Sequence, residues 1–264
     1  METPVKTANR LTKYFSNKNK GILNIYFTAG YPKLNDTVTI IKAIEESGAD
    51  IIEIGLPFSD PLADGPTIQR SSEIALQNGM STSLLFEQLK DIRKEVKIPI
   101  LLMGYLNPVM QYGVEKFCQK AVEVGIDGLI LPDLPYDEYN ESYKDIFEAH
   151  NLANVFLVTP NTSAERVDMI DKSTHGFSYI VSTDSTTGST KSILDATEYF
   201  QRIRNYNLKN PYLIGFNINS AESFEFASSF SNGAIIGSAF IKALGKSENL
   251  NSDIKNFIHS IKNQ

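Results

Sequence analysis

Ile51-Ile52-Glu53-Ile54-Gly55 has the pattern of a buried β-strand, and that pattern repeats along the chain. Its β-branched residues favour an extended backbone, and Leu56-Pro57 brings the run to an end. On a strand, Ile51, Glu53 and Gly55 share one face while Ile52 and Ile54 take the other. Apolar residues on both faces mark a strand covered on both sides, as parallel strands beneath crossover helices are. Runs of the same kind recur at Leu23–Thr28, Pro99–Gly104, Gly128–Leu131, Asn154–Val158, Phe177–Val181, Pro211–Phe216 and Gly233–Ile236. Amphipathic stretches separate them: Asp36–Ser47, Ser81–Val96, Val114–Val124, Pro135–His150, Ser163–Ser173, Asp195–Arg204 and Ala221–Ser229. Eight strand and helix repeats without a linker predict an α/β fold: a (β/α)8 TIM barrel, a single domain over residues 1–264 with an additional N-terminal helix. The rival is a doubly wound open sheet. Neither Gly-x-Gly-x-x-Gly after the first strand nor a Walker Gly-x-x-x-x-Gly-Lys is present, so the usual nucleotide-binding reasons for an open sheet are missing.

In a barrel the Ile52 and Ile54 face packs on the helices, and Glu53 points inward near the rim where active sites form. An ionised Glu buried there needs a partner or a proton. The other strand runs hold no Lys or Arg, which argues against an ion pair and favours a proton-shuttling carboxylate. The next segment, Leu56–Gln69, is stiffened by Pro57, Pro61, Pro66 and Gly65 and carries Asp60 and Asp64. Spacing does not choose between these acids, and taken alone each reads sooner as a turn former or helix cap than as a catalyst. The longest intervals follow the second and sixth strands, which places extra loop there. Gly188, Gly215-Phe216-Asn217 and Gly237-Ser238 follow the sixth, seventh and eighth strands. Small residues and helix-initial amides on those loops suit a phosphate group.

The formal net charge of −6 and a pI near 5.2, without a block of like charges, exclude nucleic acid and anionic membranes as main partners. No apolar run reaches the roughly 18 residues of a membrane span. Met1–Lys20 is polar and mixed in charge, without a signal-like apolar centre, so a cytoplasmic location is expected. The single Cys118 reads as packing, and His150, His175 and His259 are scattered, so no metal site is expected. Gly-x-Ser-x-Gly is absent, and with it the usual sign of a serine hydrolase.

Ile51–Gln69, with Glu53 and Asp64 in place, closely resembles the signature of the tryptophan synthase alpha subunit family. The resemblance extends to Phe27-Thr28-Ala29-Gly30-Tyr31-Pro32, Met103-Gly104-Tyr105-Leu106-Asn107-Pro108, Leu131-Pro132-Asp133-Leu134-Pro135 and Gly237-Ser238-Ala239. It implies a lyase that cleaves indole-3-glycerol phosphate to indole and glyceraldehyde 3-phosphate by a retro-aldol route in tryptophan biosynthesis. It further implies an alpha2beta2 heterotetramer, in which a beta subunit holding pyridoxal phosphate receives the indole and the alpha chain carries no cofactor. Carried across, Glu53 is the general acid/base, Asp64 meets the indole N–H and Tyr179 stands near the reacting centre. Tyr26, Tyr105, Ile130 and Phe216 line the indole pocket, while Gly188, Asn217, Gly237 and Ser238 bind phosphate and Asp60 and Pro61 lie near the partner. A desolvated setting is expected for Glu53 and a hydrated loop for Asp64. Two departures stand out: Thr183 and Ser185 replace the family's usual Arg and Gly in the sixth loop, and Asn217 replaces a glycine. A sugar-phosphate isomerase type of barrel and a mainly regulatory subunit are the alternative readings.

Overall fold

The computed structural model describes residues 9–182 and 193–263. Among these residues nine parallel strands are present: β1 (Ile22–Thr28), β2 (Ile51–Gly55), β3 (Ile100–Met103), β4 (Gly128–Ile130), β5 (Ala153–Val155), β6 (Leu157–Val158), β7 (Ser178–Val181), β8 (Tyr212–Gly215) and β9 (Gly233–Ile236). Their order is β5-β4-β3-β2-β1-β9-β8-β7-β6. The two ends of this sheet are consecutive in the chain. β5 pairs with β4 and β6 with β7, while the Phe156 carbonyl between them accepts from the Tyr179 amide at 2.9 Å. The run read as one strand over Asn154–Val158 is therefore the seam of the barrel, bent at Phe156 so that each half serves a different neighbour. Eight sequence units give nine strands for that reason, and the (β/α)8 barrel is the observed fold.

Alternation along the strands sorts the apolar side chains into two cores. Leu23, Ile25, Ile52, Ile54, Ile100 and Leu102 face outward into the layer shared with the helices. Ile51, Leu101, Ile130, Val155, Leu213 and Ile235 face inward and fill the barrel. The helix Arg10–Asn17 closes the end from which the strands start. Its Leu11 and Phe15 join the inner core, and the Phe15 ring lies 5.7 Å from that of Phe177 just before β7. The expected N-terminal helix is thus a plug. That leaves the opposite end, where the strands finish, open for a site.

Helix starts that the sequence reading placed in loops lie beyond β2 and β3. Residues Pro66–Gln77 are helical with Pro66 in the first turn, where a proline's missing N–H costs no hydrogen bond. Leu106–Tyr112 is helical as well, its Pro108 tolerated in the first turn for the same reason. The stretch expected as one helix over Pro135–His150 is helical but contains a π turn at Tyr139–Tyr143, through which Tyr139, Tyr143 and Phe147 all turn inward. Among the described residues no helix is long and apolar enough to cross a membrane.

Candidate active site

β2 carries Glu53 inward, and β1 lies beside it in register, with Asn24 opposite Ile51 and Tyr26 opposite Glu53. Glu53 is 0% exposed. Its Oε1 accepts from Asn24 Nδ2 at 2.5 Å, and its Oε2 has no hydrogen-bond partner. Among the described residues no Lys, Arg or His forms an ion pair with it. Burial pushes the carboxyl up to about 8, against the smaller downward pull of the Asn24 hydrogen bond. The sequence reading expected a desolvated Glu53 without a cation, and that is its environment. Asn24 is a residue that reading missed, although an amide inside the apolar run Leu23–Phe27 is itself a signal.

Asp64 departs from expectation. It is 9% exposed, and its Oδ2 accepts from the Tyr105 hydroxyl at 3.0 Å. The loop folds back on itself, with the Asp64 amide donating to the Pro61 carbonyl and Gln69 Nε2 donating to the Asp64 carbonyl. Prolines on either side hold this compact turn against Tyr105, so the carboxyl is shielded instead of hydrated. Burial pushes it up to about 6, with the Tyr105 hydroxyl pulling the other way. At neutral pH Asp64 remains mainly ionised while Glu53 remains mainly protonated. Asp60 is exposed and Pro61 half-buried at the outer edge of the same loop, next to Leu62, which is 90% exposed.

A cavity of about 240 Å3 opens at the end where the strands finish. Asp64, Tyr26, Tyr179 and Phe216 line it, and so do Asn217, Gly237 and Ser238, whereas Glu53 does not itself line it and lies fully buried beside Tyr26 of the neighbouring strand. Tyr105 does not line it; its hydroxyl is committed to Asp64 and to the Ala63 amide, which donates at 3.0 Å. Ile130 does not line it either, being fully buried in the inner core one layer below. Met103, Ile68 and Ile235 supply apolar wall instead. Gly188, Thr183 and Ser185 lie outside the described residues. Lys242 and Asn219 also line the cavity and were not anticipated. Lys242 stands one turn after Ser238 on the helix Ser238–Leu244, a spacing that brings two side chains to one face.

Two glycines make room for the tyrosines. A Cβ at Gly55 would stand 2.2 Å from the Tyr26 hydroxyl oxygen, and one at Gly215 would stand 2.4 Å from that of Tyr179. Each ring thus lies across the glycine of the neighbouring strand. Both phenols are fully buried and pushed well above their ordinary range, first by burial and then by the Glu53 and Asp64 charges, so both act as neutral hydroxyls. Phe216 and Asn217 are consecutively left-handed, at φ 69° and 59°. Asn adopts this region readily and Phe does not, so the turn holds strain. Ser182 Oγ donates to the Phe216 carbonyl at 3.0 Å and its amide to the Gly215 carbonyl at 3.1 Å, which fixes the turn. Ser238 Oγ is buried without a hydrogen-bond partner. Among the described residues no group of three or more His, Cys, Asp or Glu comes together as metal ligands would.

The sequence model of the family described as tryptophan synthase alpha chain matches residues 13–263. The tryptophan synthase alpha chain of Flavobacterium psychrophilum is 60% identical over 245 residues, covering 92% of this chain and 96% of its own. The chain belongs to the tryptophan synthase alpha chain family. Members of this family are lyases of tryptophan biosynthesis that cleave indole-3-glycerol phosphate. The tryptophan synthase alpha chain fold is also shared with solved structures. A Mycobacterium tuberculosis tryptophan synthase chain superposes with a TM-score of 0.86 at 32% identity, over 96% of this chain and 97% of that one. A chain of the tryptophan synthase complex from Pyrococcus furiosus superposes at 0.84 and 32%, over 94% and 100%.

Proposed function

We propose that Glu53 and Asp64 divide the cleavage of indole-3-glycerol phosphate between them, with Glu53 moving protons and Asp64 holding charge. The observation that carries this is a pair of carboxyls whose environments set them apart, Glu53 at about 8 and Asp64 at about 6. Protonated Glu53 donates to C3 of the indole ring, which turns that carbon tetrahedral and leaves positive charge on the N1–C2 unit. Ionised Asp64 accepts the indole N–H and stabilises that charge. Glu53 then takes the proton of the hydroxyl on the adjacent glycerol carbon. The C3–carbon bond breaks, its electron pair restores the indole ring, and the glycerol carbon becomes an aldehyde. One proton is given and one returned, so Glu53 ends as it began. The neutral Tyr179 hydroxyl lies beside this exchange as a hydrogen-bonding group.

The flat walls of Tyr26 and Phe216 suit a planar ring, and Tyr105 serves the site by holding Asp64. For the phosphate we assign Asn217, Gly237 and Ser238, with Gly188 completing the set. The unpartnered Ser238 hydroxyl, the acceptor-less first amides of its helix and the Lys242 ammonium support this assignment. The 264 residues act as one domain in the cytoplasm. We assign Asp60 and Pro61, with exposed Leu62, to a beta subunit in an alpha2beta2 assembly, the partner holding the pyridoxal phosphate and receiving the indole; that the Pyrococcus furiosus neighbour comes from a tryptophan synthase complex supports a partner.

Incubating the purified chain with indole-3-glycerol phosphate, alone and with a cognate beta subunit, tests the reading. Indole and glyceraldehyde 3-phosphate are expected in equal amounts. Absence of both products, or turnover of a triose phosphate instead, would overturn it.

A further inference from the structure

We infer that Asn24 is a positioning residue for Glu53, its amide pinning one carboxyl oxygen so that the mobile proton is handled at the other. The inference rests on the reading of Glu53 as the proton carrier. Asn24 and Glu53 are both 0% exposed and sit on adjacent strands, one inward layer apart. Asn24 Nδ2 donates to Glu53 Oε1 at 2.5 Å, while Glu53 Oε2 and Asn24 Oδ1 have no partner. With Oε1 occupied by an N–H, the acid proton belongs on Oε2, and the side chain is held in one orientation. Once that proton leaves, the same N–H becomes a charge-assisted donor to the anion.

No other group near Glu53 gives that help. Tyr26 on β1 and Tyr179 on β7 are buried neutral phenols, and Asp64 beyond β2 is hydrogen-bonded to Tyr105 instead. From β3 the inner core receives only Leu101 and Met103. Burial opposes ionisation and the Asn24 hydrogen bond pulls the other way, so the Asn24 amide is what keeps the proton exchangeable near neutral pH. A purely structural role would leave the titration of Glu53 untouched when Asn24 is replaced.

The experiment is a carbon-13 NMR titration of the Glu53 carboxyl, assigned with Glu53→Gln, in the whole chain and in Asn24→Val and Asn24→Ser. The pH profile of kcat for indole release is recorded in parallel. In folded variants the Glu53 midpoint is expected to rise by about one pH unit, as loss of a hydrogen bond to a charged group implies. The alkaline limb of the kcat profile is expected to move up with it, and turnover on the plateau to fall about threefold as the unpinned carboxyl loses its orientation, with little change in KM. Asn24→Ser introduces no added bulk and serves if Asn24→Val does not fold. An unchanged Glu53 midpoint in either folded variant overturns the inference. A raised midpoint in a chain that releases no indole at all supports the coupling and instead removes the proposed reaction.

Discussion

Glu53 and Asp64 show how two carboxyls eleven residues apart acquire different work. Glu53 is fully buried with one hydrogen-bond donor; Asp64 has Tyr105 and the edge of the cavity. If both act as proposed, kcat/KM is bell-shaped, falling below about 6 as Asp64 is protonated and above about 8 as Glu53 ionises. Asp64→Asn should abolish the acid limb together with most turnover. Stability follows the same groups with the opposite sign from the usual carboxylate. Between its unfolded value and about 8 Glu53 is protonated in the native state and ionised in the unfolded one, so rising pH favours unfolding there. Denaturant titrations of the wild type should therefore lose roughly 1 kcal/mol per pH unit across that window, relative to Glu53→Gln. Parallel pH profiles for the two proteins would contradict this. Glu53 was legible in the sequence because its strand is apolar and the other strands lack cations. Asp64's burial was not, since it depends on Tyr105 arriving from the loop after β3, a contact no local pattern encodes.

At the scale of elements, strand and glycine placement do the positioning. Tyr26 and Tyr179 each project inward two residues before a neighbouring strand's glycine, and the ring crosses the space a Cβ would fill. Gly215→Ala should displace the Tyr179 ring toward the cavity, lowering kcat by about tenfold or more with the barrel intact. Gly233 is different, because a Cβ there would stand 2.0 Å from the Ile22 carbonyl oxygen, a backbone atom of β1. Gly233→Ala should therefore cost more in melting temperature than Gly215→Ala, a difference thermal unfolding will show. The strands were readable because parallel strands in a barrel are apolar on both faces. The seam at Phe156 was not, because it is set by which neighbour each half pairs with. The helix Pro66–Gln77 was obscured by reading Pro66 as a loop residue, when a proline there also starts a helix.

Across the whole molecule, one buried acid ties distant parts of the chain. Asp50, immediately before β2, accepts from the Leu23 amide at 2.8 Å, from Lys18 at 2.5 Å and from Lys262 at 3.3 Å, and also from the Tyr14 hydroxyl. It thereby joins the plug helix, the first two strands and the helix Leu250–Lys262. These partners hold its carboxyl below the usual range although burial pushes the other way. Its contribution is present above the unfolded value and lost as pH falls through the lowered one. Asp50→Ala should cost about 3 kcal/mol, or roughly 6–12 °C in melting temperature, since it leaves the largely enclosed Lys262 ammonium without its carboxylate and with the Gly48 carbonyl alone. Sequence periodicity announced the barrel but not this clasp, which joins residues some two hundred positions apart. The central claim is that this barrel cleaves indole-3-glycerol phosphate through Glu53, and the most direct measurement is indole release by Glu53→Gln beside the wild type at pH 7. Glu53→Gln should lose about 10²–10⁴-fold in kcat with an unchanged circular dichroism spectrum; turnover within a factor of about three of wild type would show that another group moves the proton.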